Sequence, residues 1–283
     1  MAPPLEIAAA ADDASTGDTF SLLKQTLDLD ISFSPRRVTG KTILDIVPDT
    51  EKLTKIFLNA RQLKPTRIQI EGQTAKFNYS NLHQRMTLYP GTGIGQYHYA
   101  KDRIKRHVDE GEDELVIHMP DSISIRKVKP EDVGQPADTP GDFYAPLKVI
   151  IEYILDDFRD ALHFVGVEDG DSRFPHAYTR NSPFPGMASC LFPCIDDGET
   201  RTQFDMSIRY PRTVGDALSK TSAPSSATSR GEKADSVMAD ADDDAADLSE
   251  EEKAMEMQVI CSGILTDDVS TVLVTATSQT DPW

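Results

Sequence analysis

The sequence predicts an all-β fold, either a sandwich or an open, curved antiparallel sheet. Three observations carry that expectation. In Leu27-Asp28-Leu29-Asp30-Ile31-Ser32-Phe33-Ser34 the apolar residues occupy strictly alternate positions, the period of a strand with one face in a core. Many short runs of this kind follow, separated by Pro, Gly, Asp and Ser, the punctuation of an all-β chain. Helical periodicity is sustained nowhere in the part expected to be ordered. The long edges of such a sheet require cover.

Taken in order, residues 1–23 are rich in Ala and Asp and read as a loose N-terminal arm. The β domain is expected over 24–277. It opens with the strand around Leu27, the turn Pro35-Arg36-Arg37 and an answering strand from Val38 to Val47, an antiparallel hairpin with one buried face. Further strands are expected at Arg67–Glu71, Thr74–Tyr79, Glu114–Met119, Leu147–Leu155, Leu162–Val165, Thr202–Tyr210, Met257–Leu265 and Val269–Ala276. Leu147-Lys148-Val149-Ile150-Ile151-Glu152-Tyr153-Ile154-Leu155 is the strongest, dense in β-branched and aromatic residues. Residues 120–145, with four prolines and two glycines, read as a long connection.

Residues of about 214–255 break the pattern. The stretch has no aromatic residue and cannot bury enough apolar surface to offset roughly 1–2 kcal/mol of backbone entropy per residue. It reads as a disordered acidic insertion between the strands Thr202–Tyr210 and Met257–Leu265, which are expected to pair.

The 283 residues suffice for one large domain or two ordinary ones. Apolar content of 39% and a formal charge of −18 agree with a partly disordered chain. Between Asp216 and Glu256 stand 12 acidic against 4 basic residues, a net of −8. An acidic chain repels nucleic acid through space, which argues against strong non-specific DNA binding. Cys190, Cys194 and Cys261 are odd in number and have no disulfide-framework spacing, which suits a reducing compartment. The N-terminus lacks the basic and apolar regions of a signal peptide, and no stretch approaches the roughly 20 apolar residues of a membrane helix. The cytosol or nucleus is expected, with no membrane partner.

Catalytic and metal signatures are sparse. A His-Glu-x-x-His helix places two imidazoles on a zinc ion and a glutamate as base, and no such run occurs here. His83, His98, His107, His118, His163 and His176 are scattered over different elements. Gly-x-Ser-x-Gly, Walker and Rossmann glycine runs are absent as well. Cys190 and Cys194 are two soft ligands where a structural zinc site wants four, so core packing is the reading for both. Lys101-Asp102-Arg103-Ile104-Lys105-Arg106-His107 is the one basic cluster and reads as a solvated loop face. No catalytic, cofactor or metal residue is assigned, and no cofactor is expected.

Leu191-Phe192-Pro193-Cys194-Ile195-Asp196-Asp197 and the strand Gln203 to Tyr210 resemble the Phe-Pro-Cys-x-Asp signature that closes the N-terminal β domain of the M1 aminopeptidase superfamily. Val38-Thr39-Gly40-Lys41-Thr42 is similar to the Arg-Val-x-Gly run of that domain's second strand. Val259-Ile260-Cys261-Ser262-Gly263-Ile264-Leu265 is similar to its late Val-Ser-Asn-Gly-x-Leu strand. The resemblance implies an M1 aminopeptidase-like N-terminal domain. Working peptidases carry Ala-Arg-x-x-Phe-Pro-Cys-x-Asp-Glu-Pro. Here Ala188-Ser189-Cys190 precede Leu191 without an arginine, and Asp197-Gly198 replaces Glu-Pro. A substrate-amine contact expected about ten positions before Phe192 falls near Ser182, which cannot supply it.

Leu162-His163-Phe164-Val165-Gly166, Phe174-Pro175-His176-Ala177-Tyr178-Thr179, Cys190 to Asp197 and Met206 to Leu218 resemble the fungal members of another family built on the same frame. That family is TBP-associated factor 2, the aminopeptidase-like subunits of the general transcription factor TFIID. The resemblance implies a nuclear, non-catalytic scaffold whose partners are TBP and other TBP-associated factors. It also implies support of core-promoter engagement, with promoter DNA touched only weakly by this region. Two alternatives stay open: the N-terminal domain of an M1 zinc aminopeptidase whose catalytic domain lies outside this chain, and a freestanding β-sandwich module. A superfamily member would continue past Asp281-Pro282-Trp283, so 278–283 is expected to be a tail truncated before a peptidase-like domain.

Overall fold

The computed structural model describes residues 19–81, 114–133, 136–156, 158, 160–168, 170–179, 187–196, 202–219 and 248–261, with the backbone of 264–268 and 272–276. The all-β class expected from the alternation is what is observed. β1 (Phe20–Ser32) and β2 (Arg37–Pro48) form the opening antiparallel hairpin, with Leu27 opposite Thr42 and Leu29 opposite Gly40. Its turn is closed by the Arg36 N–H donating to the Phe33 carbonyl at 2.8 Å, with Arg36 at φ 46°. Val38, Thr42, Leu44 and Ile46 all face inward from β2.

Strand β3 (Lys55–Leu58) is followed by β4 (Lys64–Ile70), β5 (Gln73–Thr74), β6 (Lys76–Tyr79) and β7 (Leu115–His118). Two-residue strands β8 (Lys127–Val128) and β9 (Phe143–Tyr144) precede β10 (Leu147–Leu155). Then come β11 (Leu162–Val165), β12 (His176–Thr179), β13 (Gln203–Arg209), β14 (Ile264–Asp268) and β15 (Val272–Ala276). The main sheet has eight strands in the order β14-β15-β13-β1-β2-β10-β4-β5, and a second has the order β3-β7-β6. Leu27, Leu44, Ile68, Ile70 and Ile151 of the first share one apolar cluster with Ile56, Leu58, Leu115 and Ile117 of the second. The two sheets therefore form a sandwich around a single core. On the other face of the main sheet, the register sets Arg67, Glu152, Lys41 and Asp28 side by side on four strands. Charge alternates along that row, which suits a solvated face.

Gly40 has a packing role in this sheet. It lies opposite Tyr153, and a Cβ at Gly40 would stand 2.1 Å from the Tyr153 Cζ. The phenol ring lies across the bare backbone and is itself 1% exposed. A strand glycine here marks the close approach of an aromatic ring.

Four expectations change. The sheet is mixed, because β13 runs parallel to β1, from Lys24 opposite Gln203 to Asp30 opposite Arg209. Met257–Leu265 does not pair with β13; β15 takes that edge, and β14 folds back on β15. The local β14–β15 hairpin supplies the partner strand that the more distant segment was expected to provide. The connection 120–145 contains the β8–β9 ladder and a 3-10 turn at Pro130–Val133. The arm is shorter than 1–23, since β1 starts at Phe20; residues 1–18 lie outside the described residues.

The acidic insertion also has built ends. Short helices cover Val214–Leu218 and Glu250–Lys253, each opened by a capping box, Thr213 with Asp216 and Ser249 with Glu252. In each box the hydroxyl and the carboxylate satisfy backbone N–H groups reciprocally. Val214 N–H donates to the Met255 carbonyl at 3.0 Å and Met257 N–H to the Arg212 carbonyl at 2.8 Å. These bonds clasp the two stems together at the ends of the span 214–255. Residues 220–247, the bulk of the insertion, lie outside the described residues.

Candidate functional site: the clamp around the Phe-Pro-Cys motif

The Phe-Pro-Cys run is reached through a 3-10 turn at Ala188–Cys190, where Leu191 and Phe192 N–H both donate to the Ala188 carbonyl. The turn aims Phe192 and Cys194 into the core, and Phe192 meets Phe204 of β13 edge-on, 6.0 Å between centroids. Burying such a ring contributes roughly 1.5–3 kcal/mol. The strand-like stretch that follows exchanges two backbone bonds with Asn59, Asn59 N–H to the Cys194 carbonyl at 2.8 Å and Cys194 N–H to the Asn59 carbonyl at 3.0 Å.

Residues 59–63, which link β3 to β4, are the other half of the clamp. Ala60 N–H donates to Glu114 Oε2 at 2.8 Å, Arg61 N–H to the Ser189 carbonyl at 2.8 Å, and Leu63 N–H to the Tyr79 hydroxyl at 3.0 Å. Gln62, held at φ 49°, donates from Nε2 to the carbonyls of both Asp160 and Cys190 at 2.9 Å, while its Oε1 accepts from Asp160 N–H at 3.2 Å. Asp196 N–H donates to Asn59 Oδ1 at 3.0 Å and Asp196 Oδ2 accepts from Ser189 N–H at 2.9 Å. From β1, Gln25 Nε2 donates to the Pro193 carbonyl at 2.8 Å. At the centre, Arg61 Nε lies 2.7 Å from Glu114 Oε1, with the two side chains 14% and 1% exposed.

The electrostatics favour bracing over chemistry. Burial, reinforced by Asp196 and Glu114, pushes the Cys194 thiol well above its ordinary range. A thiol held neutral is neither a nucleophile nor a ready metal ligand. Burial opposes the Arg61 charge, and Glu114 more than compensates, so the guanidinium stays ionised. The bonds made by Asn59, Gln62, Glu114 and Asp196 tie loops of the fold to one another.

Of the residues singled out in the sequence, Phe192, Cys194, Cys190 and Asp196 come together here. Cys261 is exposed and elsewhere. His118 sits on β7 with its Nε2 3.2 Å from Asn78 Nδ2, and His163 and His176 lie on β11 and β12, stacked on either side of Tyr178. Among the described residues no three His, Cys, Asp or Glu side chains are placed to hold a metal. His83, His98, His107, the basic cluster 101–107 and Ser182 lie outside the described residues. Sequence reasoning missed Gln25, Asn59, Arg61, Gln62, Glu114 and Asp160. The one available signal was Glu114, an acid set directly before the apolar run Leu115-Val116-Ile117.

No family model matches the chain. Curated proteins do. Over 255 residues it is 26% identical to transcription initiation factor TFIID subunit 2 of Schizosaccharomyces pombe, a match over 87% of this chain and 20% of that protein. The chain is similar to TFIID subunit 2. The TFIID subunit 2 of Saccharomyces cerevisiae is 21% identical over 221 residues, 69% of this chain and 16% of its own. The chain thus spans about a fifth or less of the length of the TFIID subunit 2 proteins it matches. Among solved structures, yeast LTA4 hydrolase in complex with bestatin superposes with a TM-score of 0.49 at 16% identity, over 97% of this chain and 30% of that one. An M1 zinc metallopeptidase from Deinococcus radiodurans gives 0.41 at 10% identity, over 90% and 38%.

Proposed function

We propose that this chain is a non-catalytic scaffold domain of a TFIID subunit, supporting complex assembly and core-promoter engagement in RNA polymerase II transcription initiation. The observation that carries the reading is the similarity to TFIID subunit 2 along 87% of the chain. The clamp supports it from the side of chemistry, because Glu114 and Gln62 hold loops together and burial keeps the Cys194 thiol protonated. TBP and other TBP-associated factors are the partners, the nucleus is the compartment, and promoter DNA is at most a weak contact for so acidic a chain.

Affinity purification of the tagged native protein from nuclear extract, with partners identified by mass spectrometry, tests this. TBP and its associated factors are expected to co-purify. A protein recovered alone from cytosol, with activity on N-terminal residues, would replace the proposal with the M1 peptidase reading.

A further inference from the structure

On the inner face of the main sheet, Gln25 of β1, Thr42 of β2 and Tyr153 of β10 are at most 1% exposed. Gln25 Oε1, Thr42 Oγ1 and the Tyr153 hydroxyl have no hydrogen-bond partner among the described residues. The strand register gathers them. Leu27 and Ile151 lie opposite Thr42, so Gln25 and Tyr153 are its diagonal neighbours from either side, within reach for long side chains. Gly40 has no side chain to stop the Tyr153 ring from lying across β2. Burial raises the pKa of the phenol, the Thr42 hydroxyl lowers it and the Cys194 thiol adds to the rise, so both groups stand beside it. The amide end of Gln25 reaches the same place, because its Nε2 donates to the carbonyl of Pro193, the residue before Cys194. Polar atoms so deeply enclosed are ordinarily met by protein or by ordered water, and leaving them unmet costs stability.

We propose that one internal water molecule is bound between Gln25 Oε1, Thr42 Oγ1 and the Tyr153 hydroxyl, joining the Phe-Pro-Cys motif to three strands of the main sheet. All three groups are uncharged, which suits a neutral ligand over an ion. Their chemistry also orients it. Gln25 Oε1 can only accept, so it takes one water proton, and the phenol donates its own proton to the water oxygen. The Thr42 hydroxyl completes the set in either role. Three partners are the usual number for a buried water. Gln25 then holds the motif with one end of its amide and the water with the other, and β2 and β10 are tied to the motif through that water.

Two measurements on the whole 283-residue chain test this. In a high-resolution crystal structure, density for a water is expected within about 3 Å of Gln25 Oε1, Thr42 Oγ1 and the Tyr153 hydroxyl oxygen. In solution, Thr42→Val and Tyr153→Phe each remove one hydroxyl with almost no change of shape. Each is expected to lower the urea midpoint by about 0.2–0.5 M, because a bond to the water is lost. The double variant is expected to lose less than the sum, since one water serves both hydroxyls. A rise in the midpoint of either variant would overturn the proposal, because removing a hydroxyl that has no partner relieves a cost. So would a crystal structure in which the Thr42 and Tyr153 oxygens bond directly to each other with no water density between them and Gln25.

Discussion

Glu114 is the ionised side chain at the centre of the clamp. It faces Arg61, accepts from Ala60 N–H and is almost fully enclosed. Glu114→Ala would take the carboxylate away from the largely buried Arg61 guanidinium and from the Ala60 N–H, and removal of one member of such a pair is expected to cost about 3–5 kcal/mol. Urea unfolding of the variant measures this, and a loss below about 1 kcal/mol would mean that water reaches Arg61. Gly40 is the second sensitive residue. Gly40→Ala forces the enclosed Tyr153 ring out of its place, and a loss of about 1–3 kcal/mol is expected from overpacking. Pairing it with Tyr153→Leu should recover part of that loss, because the obstructing ring is gone. Glu114 is marked only by its place before the apolar run Leu115-Val116-Ile117, and the packing role of Gly40 is not marked at all. Val38-Thr39-Gly40 could be matched to a family run, yet the reason for its glycine is an aromatic ring more than a hundred residues downstream.

At the scale of elements, legibility follows how local the determinants are. Leu147–Leu155 and Leu162–Val165 appear as strands with the bounds expected, the first because it is dense in β-branched and aromatic residues. Lys55–Leu58 went unread because four residues are too few to establish a period. Met257–Cys261 has the period of a strand yet joins no strand pair among the described residues, and pairing is not encoded in alternation. The clamp was opaque for the same reason: its members come from β1, β6, three loops and the residue before β7, and the polar ones look ordinary alone. The helices at the stems of the insertion were masked by the acidity around them, although Thr213-x-x-Asp216 and Ser249-x-x-Glu252 are cap signatures. Thr213→Ala and Ser249→Ala should each weaken the clasp by about 0.5–2 kcal/mol. Faster hydrogen exchange at the Val214 and Met257 amides, which bridge the stems, is the readout; unchanged exchange would show that the clasp holds without its caps.

For the whole molecule, three acids raised by burial shape the response to alkaline pH. Burial raises the Cys194 thiol and the Tyr79 and Tyr153 phenols, although Leu63 N–H partly opposes the shift at Tyr79. All three are neutral when protonated, and the fold holds their protons more tightly than the unfolded chain does. Their contribution is complete below the unfolded values, about 9 for the thiol and about 10 for the phenols, and declines as pH rises through them. The urea midpoint is therefore expected to fall between pH 7.5 and 10.5. Equal midpoints would mean that these groups already meet solvent in the native state.

The parallel seam between β1 and β13 has a consequence for how the molecule comes into being. Lys24 waits for Gln203, and Gln25 for Pro193, 168 positions later. A nascent chain leaving the ribosome can close the β1–β2 hairpin at once, but one side of β1 stays bare until β13 has been synthesised. Contacts of such long sequence separation form slowly, and an open strand with apolar neighbours is prone to wrong partners meanwhile. Expression that outpaces chaperone capacity should therefore yield aggregates seeded at the first strand, and slower translation should yield more soluble protein.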